Sequence, residues 1–230
     1  MKMVKRVIDA LRHCGARHSY SQCGEDLIVD FVLKDLGITA PTYLDVGAYG
    51  PRSLSNSYLF YRRGSTGVCV EPNPALCRSL ARARPRDLCL NIGVGSCDAT
   101  LDFYLLNPPT LSTFVAKNAE TIQAEGAAVL DRVIPVSVLR LDAVFERYCR
   151  AIPDFLSIDT EGQEMAILSA TDLERNRPAV VCAETISFST DHEGKKDQDL
   201  IDFMRKKRYR VYADTYVNTI FVDERKWGGS

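Results

Sequence analysis

The sequence has little of what marks several common protein classes. It holds one tryptophan and three histidines in 230 residues, and its eight cysteines (14, 23, 69, 77, 89, 97, 149 and 182) form no C-x-x-C pair. His13, His18 and His192 do not flank them at zinc-finger spacing, so the pattern suggests no zinc site. Cys69 and Cys182 lie in apolar runs, where a free thiol behaves as a small hydrophobe. This usage points to a reduced, intracellular (cytoplasmic) compartment rather than a disulfide scaffold. Neither sign of charge dominates: 29 Lys and Arg stand against 30 Asp and Glu, a net charge of -1. The chain therefore has no bulk attraction to nucleic acid or to an anionic membrane.

Long apolar runs are absent too, and nothing approaches the roughly 18 residues a transmembrane helix needs. At the basic N-terminus Asp9 and Arg12 interrupt the apolar stretch, which excludes the continuous centre of a secretory signal. Val4, Val7, Ile8 and Leu11 fit one face of a short helix, so residues 1–19 read as an N-terminal helical extension. Its basic face either stays solvated or meets a lipid surface or acidic partner. No motif specifies an oligomeric state.

What the chain does contain is material for a core: 46% of its residues are hydrophobic and 26% charged. Residues 20–230 read as one α/β domain. A helix over 24–36 has Leu27, Ile28, Phe31, Val32 and Leu36 at helical spacing, with Gly37 as its stop. Strands over 42–46, 67–71 and 88–92 alternate with helices over 54–63 and 75–84. Such alternation implies βαβ units and a parallel sheet. Thr100–Leu106 is an added strand, followed by a loop from Pro108 through Phe114. Further strands are expected over 135–139, 154–158 and 180–184, with helices over 142–150 and 197–207. Thr160 with Gln163 suggests a capping box for the helix running to Ala170. Strands at 210–213 and 219–223 close a doubly wound, mostly parallel sheet with an antiparallel finish.

In such sheets ligands bind at the carboxyl ends of the strands near the switch point. There the strands deliver Asp45, Glu71, Asn91, Asp159 and Glu184. The first strand runs into Asp45-Val-Gly-Ala-Tyr-Gly50, where Gly47 and the small Ala48 allow a ligand to come close to the backbone. Glu71 follows 26 residues after Asp45, placed to accept both hydroxyl hydrogens of a ribose. Because Tyr49 and Pro51 break the G-x-G-x-x-G pattern, the turn is a poor pyrophosphate cradle. A nucleoside without phosphates fits better than a dinucleotide.

Tyr20-Ser-Gln-Cys-Gly-Glu-Asp-Leu-Ile28, Leu44-Asp-Val-Gly-Ala48, Ser55-Asn-Ser57, Val70-Glu-Pro-Asn-Pro74 and Ile158-Asp-Thr-Glu-Gly162 occur in that order. Together they resemble the FkbM family of S-adenosylmethionine-dependent methyltransferases, over nearly the whole chain. Cys23 and Thr160 stand where family members commonly carry an aromatic residue and Val. The resemblance implies a class I methyltransferase, Rossmann-like fold, with S-adenosylmethionine as cofactor and a hydroxyl of a saccharide or natural product as acceptor. It implies that Asp45, Gly47 and Ala48 line the methionine end of the cofactor. Glu71 would hold the ribose, with Pro72 and Asn73 near the adenosine and Asn91 and Gly93 bordering the adenine.

Gln22, Glu25 and Asp26 share the helix face opposite Leu27, Ile28 and Phe31. They either reach the methionine amino group or substrate, or form a solvated face. Asn56 either touches the cofactor or, with Ser55 and Ser57, caps the next helix. Since an alcohol is a poor nucleophile, a base or a metal must take or acidify its proton. Asp159, Glu161 and Glu184 are the candidates. Their mutual repulsion calls for protonation, a lysine or a cation such as Mg²⁺. A catalytically silent binding or scaffold protein on the same fold is the alternative reading.

Overall fold

A computed structural model describes residues 17–186 and 194–227. The helix expected from Val4, Val7, Ile8 and Leu11, and His192 in its polar loop, lie outside the described residues.

The elements run in chain order α1 (Glu25–Asp35), β1 (Tyr43–Val46), α2 (Tyr58–Arg62), β2 (Gly67–Val70), α3 (Pro74–Ala83), β3 (Leu88–Leu90), β4 (Gly93–Gly95) and β5 (Ala99–Asn107). After a 3₁₀ turn at Pro109–Leu111 come α4 (Ala116–Ala124), β6 (Val129–Arg140), α5 (Leu141–Tyr148), β7 (Phe155–Ile158), α6 (Glu164–Ser169) and β8 (Val180–Glu184). The chain ends with α7 (Gln198–Lys206), β9 (Tyr209–Asp214), β10 (Asn218–Asp223) and α8 (Glu224–Trp227). Among the described residues no helix is long and apolar enough to cross a membrane, and no two cysteines are joined.

The main sheet has seven strands in the order β3-β2-β1-β7-β8-β10-β9. Its first five strands are parallel, whereas β10 runs antiparallel to both β8 and β9. This is the doubly wound sheet with an antiparallel finish that the sequence pattern implied. Chain order reverses between β1 and β7, which opens a crevice at their carboxyl ends. All four residues of β1 and of β7 are buried, as expected for parallel strands covered on both faces. Alternation along β1 sends Leu44 and Val46 into one core cluster and Tyr43 into the other. The expected strand over 135–139 is the end of a longer β6. That strand joins β4 and β5 in a separate three-stranded sheet.

Helix α1 differs from its expected phase. Phe31 is 55% exposed, while Val29, Val32 and Leu33 turn inward together with Glu25, Asp26 and Asp30. The acidic residues tolerate burial because each is satisfied, and a buried carboxylate without partners would be costly. Asp30 pairs with Lys34 at 2.8 Å and with Arg63. Asp26 accepts hydrogen bonds from Ser19 Oγ (2.6 Å), the Tyr20 amide (2.8 Å) and Ser21 Oγ (3.0 Å).

Candidate functional site

The carboxyl ends of β1, β2, β7, β8 and the start of β10 surround a cavity of about 210 Å³. Its wall includes Gln22, Gly47, Asn56, Glu71, Pro72, Gly93, Asp159, Glu161 and Glu184. The fold thus gathers around one space all three proposed catalytic carboxylates, of which Asp159 was also an expected cofactor contact, and six further proposed cofactor residues.

Five expected contacts are not at the wall, each because the side chain is engaged elsewhere. Asp26 is held by the turn before α1. Asp45 is 3% exposed and accepts a short hydrogen bond from Ser57 Oγ beneath the turn. Ala48 packs into the core. Asn73 caps α3, accepting from the Ala75 amide at 2.9 Å. Asn91 donates through Nδ2 to the carbonyls of Glu71 and Pro72, both at 2.9 Å, and so fixes the loop that carries Glu71.

Glu71 is the best-defined group at the β2 end. Its Oε2 accepts from the Tyr49 amide (2.9 Å) and its Oε1 from the Asn73 amide (2.8 Å). Burial pushes its pKa up to about 7 against the pull of those two N–H groups. Each oxygen of this cavity-lining carboxylate accepts one amide and keeps capacity for a further donor, as accepting from two vicinal hydroxyls requires. Gly47 completes this end. It sits at φ +79°, in the left-handed region that glycine adopts without strain, and its amide is bonded to the Val70 carbonyl. Tyr49, Leu54 and Glu161 also line the cavity with φ between 47° and 56°. Non-glycine backbone in this region costs of order 1–3 kcal/mol per residue and gathers at functional sites.

At the β7 and β8 ends, Asp159 and Glu184 share a hydrogen bond. Burial pushes the Asp159 carboxyl up to about 7, helped by repulsion from Glu164 and Asp45. Burial and the charges of Asp159, Glu161 and Glu164 push Glu184 far above the usual carboxylate range, so Glu184 is the partner that keeps the proton. Burial and the same neighbours also raise Glu161.

Asp159, Glu164 and Glu184 each place an oxygen within 4.8 Å of the others, a spacing a metal ion could use. Glu164 is already committed: it accepts from the Thr160 amide (2.5 Å), Thr160 Oγ1 (2.8 Å) and the Gly162 amide (3.1 Å). The capping interaction expected between Thr160 and Gln163 is therefore made by Glu164, one residue later, and α6 begins there.

Ser55, Asn56 and Ser57 have three different roles. Ser55 Oγ accepts from the Tyr58 amide at 3.2 Å, Asn56 faces the cavity, and Ser57 holds Asp45. Beneath them lies a network that sequence reasoning missed. Arg84, entirely buried, bonds Ser57 Oγ (2.9 Å) and Tyr43 Oη (3.1 Å) and forms an ion pair with Asp87 at 2.7 Å. Its position at the C-terminal end of α3, in a stretch that also holds Arg78, Arg82 and Arg86, gave no signal of burial.

For the cover of the cavity, the sequence offered Thr113, Phe114 and Lys117, in or after the long loop. Pro109, Thr110, Ser112, Thr113 and Phe114 line it from the β5–α4 connection, while Lys117 does not. Phe114 stacks at a tilt on Phe103, with ring centres 4.6 Å apart. It fits because position 93 is glycine, where a Cβ would come within 2.6 Å of the ring. The basic run 205–210 spans the end of α7 and the start of β9, with Tyr209 buried within it; Arg205 pairs with Asp202 at 3.1 Å.

The Glu71 carboxylate and the Gly47 turn fit the nucleoside of S-adenosylmethionine. Residues 45–211 match the methyltransferase FkbM domain. No curated protein matches the chain. Among solved structures, a TehB-like SAM-dependent methyltransferase from Corynebacterium glutamicum is similar at 9% identity and TM-score 0.45, over 96% of this chain and 97% of that one. An O-methyltransferase from Bacillus cereus in complex with SAH is similar at 14% identity and TM-score 0.43, over 96% and 91%.

Proposed function

The chain belongs to the FkbM methyltransferase family, and from that premise we propose that it methylates a hydroxyl oxygen of a saccharide or natural product. When bound, S-adenosylmethionine supplies an electrophilic methyl group on sulfur. Glu71 accepts the ribose hydroxyls, and Gly47 keeps the turn open beside them. Asp159 lies two strand spacings from Glu71, roughly 10 Å across the sheet. It accepts the acceptor's hydroxyl proton as the oxygen–methyl bond forms. Glu184 keeps its proton and donates a hydrogen bond to Asp159 in the resting site, which fixes Asp159 as the base. Phe103 and Phe114 exclude water above.

The single observation that carries this reading is the Asp159–Glu184 pair. One of its two carboxyls is held near neutrality, as a general base at neutral pH requires. A Mg²⁺ ion between the same two groups is the second way to relieve their repulsion, and it predicts activity lost on chelation. A scaffold role predicts no turnover at all.

The test is transfer of labelled methyl to a panel of sugars and natural-product alcohols. The expected result is label on oxygen, insensitive to EDTA, and reduced about 10²–10⁴-fold by Asp159→Asn. Label on nitrogen, or full turnover by the variant, overturns the assignment.

A further inference from the structure

Asn218 begins β10 and stands directly opposite Glu184 in the antiparallel pairing, so the two side chains share one face of the sheet. It is 2% exposed and lines the cavity, and its Oδ1 has no hydrogen-bond partner. The amide cannot turn around to escape this. Its Nδ2 donates to Glu25 Oε1 at 3.2 Å, and that same oxygen accepts from Thr215 Oγ1 at 2.7 Å. Hydrogen bonds from Thr215 and from the Cys23 and Glu25 amides outweigh burial and hold Glu25 ionised. A reversed amide would face that carboxylate with an oxygen. Glu25, which the helix pattern suggested as a ligand contact, is thus a fixed anchor behind Asn218.

A buried carbonyl without a donor is costly, and in a functional site it marks where a ligand's donor belongs. The surrounding charge says which donor. Among the described residues the cavity wall carries four carboxyl groups (Glu71, Asp159, Glu161 and Glu184) and no Lys, Arg or His.

The cofactor's own cations do not account for this end. With its ribose at Glu71 and its methionine end, ammonium included, at the Gly47 turn after β1, both the sulfonium and that ammonium lie on the β2–β1 side of the cavity. Asn218 is three strand spacings from β1, roughly 14 Å along the order β1-β7-β8-β10. The Asn218 end therefore belongs to the acceptor.

Resting on the methyl-transfer reading of this cavity, we infer that Asn218 and Glu184 bind an ammonium group, so that the acceptor is an amine-bearing polyol. The ammonium donates one hydrogen to Asn218 Oδ1 and another to Glu184, whose proton leaves to solvent. Asp159 is left free to face the neighbouring hydroxyl. Among the described residues an anionic acceptor finds no cationic partner here.

The test uses the full chain saturated with S-adenosylhomocysteine, titrated with three small polyols: serinol (2-amino-1,3-propanediol), glycerol and glycerate. Serinol is expected to bind about tenfold tighter than glycerol, as charge-assisted hydrogen bonds do, with glycerate weakest. Asn218→Leu is expected to erase the serinol preference and leave the S-adenosylhomocysteine affinity within twofold. Any other ranking of the three by the wild-type chain, including no binding of serinol, overturns the inference. Failure to bind S-adenosylhomocysteine overturns the methyl-transfer reading itself.

Discussion

A β-carbon at Gly47 would lie 1.7 Å from the carbonyl oxygen of Asp159. The turn that opens the cofactor end is thus packed directly against the strand end that carries the base, with no room for a side chain. Both sides of the contact are backbone, so neither can rotate away.

Gly47→Ala is therefore expected to damage the site through geometry alone. The substitution adds a clash with backbone and forces a left-handed φ on alanine. Thermal unfolding should show a loss of about 2–4 kcal/mol, in line with other strained or overpacked positions. Titration should show cofactor binding lost. A variant with unchanged stability and affinity would mean that the turn is not fixed against β7.

Arg84 makes a prediction of a different kind. It joins Asp87, Tyr43 and Ser57 under the turn, and Ser57 in turn holds Asp45. Arg84→Leu leaves Asp87 buried without its cation, and breaking a buried pair in this way costs about 3–5 kcal/mol. A chemical denaturation series should show that loss. A change below about 1 kcal/mol would show that the network has no structural role.

The Asp159 carboxyl, raised by burial to about 7, sets the pH dependence. A base must be deprotonated to act, so kcat/KM is expected to rise with pH through about 7 and to level above it. The stability effect has the opposite sign. A carboxyl whose folded pKa is raised favours the folded state at low pH, and that contribution is lost as pH rises through 7. Asp159→Asn should therefore raise the melting temperature more at pH 8 than at pH 5, by about 2–4 °C for each kcal/mol relieved. A kcat/KM that falls as pH rises through 7 would remove Asp159 from the role of base.

How much of this was legible in the sequence follows from the physics of each element. β1, β2, β7 and β8 were readable because strands buried on both faces are short apolar runs ended by a polar residue. That same feature placed Glu71, Asp159 and Glu184 at the cavity. The phase of α1 was misread because Glu25, Asp26 and Asp30 face inward: Glu25 meets Thr215 and Asn218 and Asp30 meets Arg63 from distant segments, while Asp26 is held by the turn just before the helix. Arg84 and Asn218 were missed for a related reason. A buried polar residue carries no local signature when its partners lie far along the chain. The segment from Pro109 to Phe114 has neither helical nor strand periodicity, so the sequence could offer Thr113 and Phe114 as a cover but not the path that brings them to the cavity.

Calorimetric titration of the chain with S-adenosylhomocysteine, beside NADH, and of the Glu71→Ala variant tests the site most directly. Micromolar binding of the adenosyl ligand alone is expected, weakened at least tenfold in the variant by loss of hydrogen bonds to a charged group. Equal binding by Glu71→Ala, or binding of NADH in preference, would contradict the assignment of this cavity.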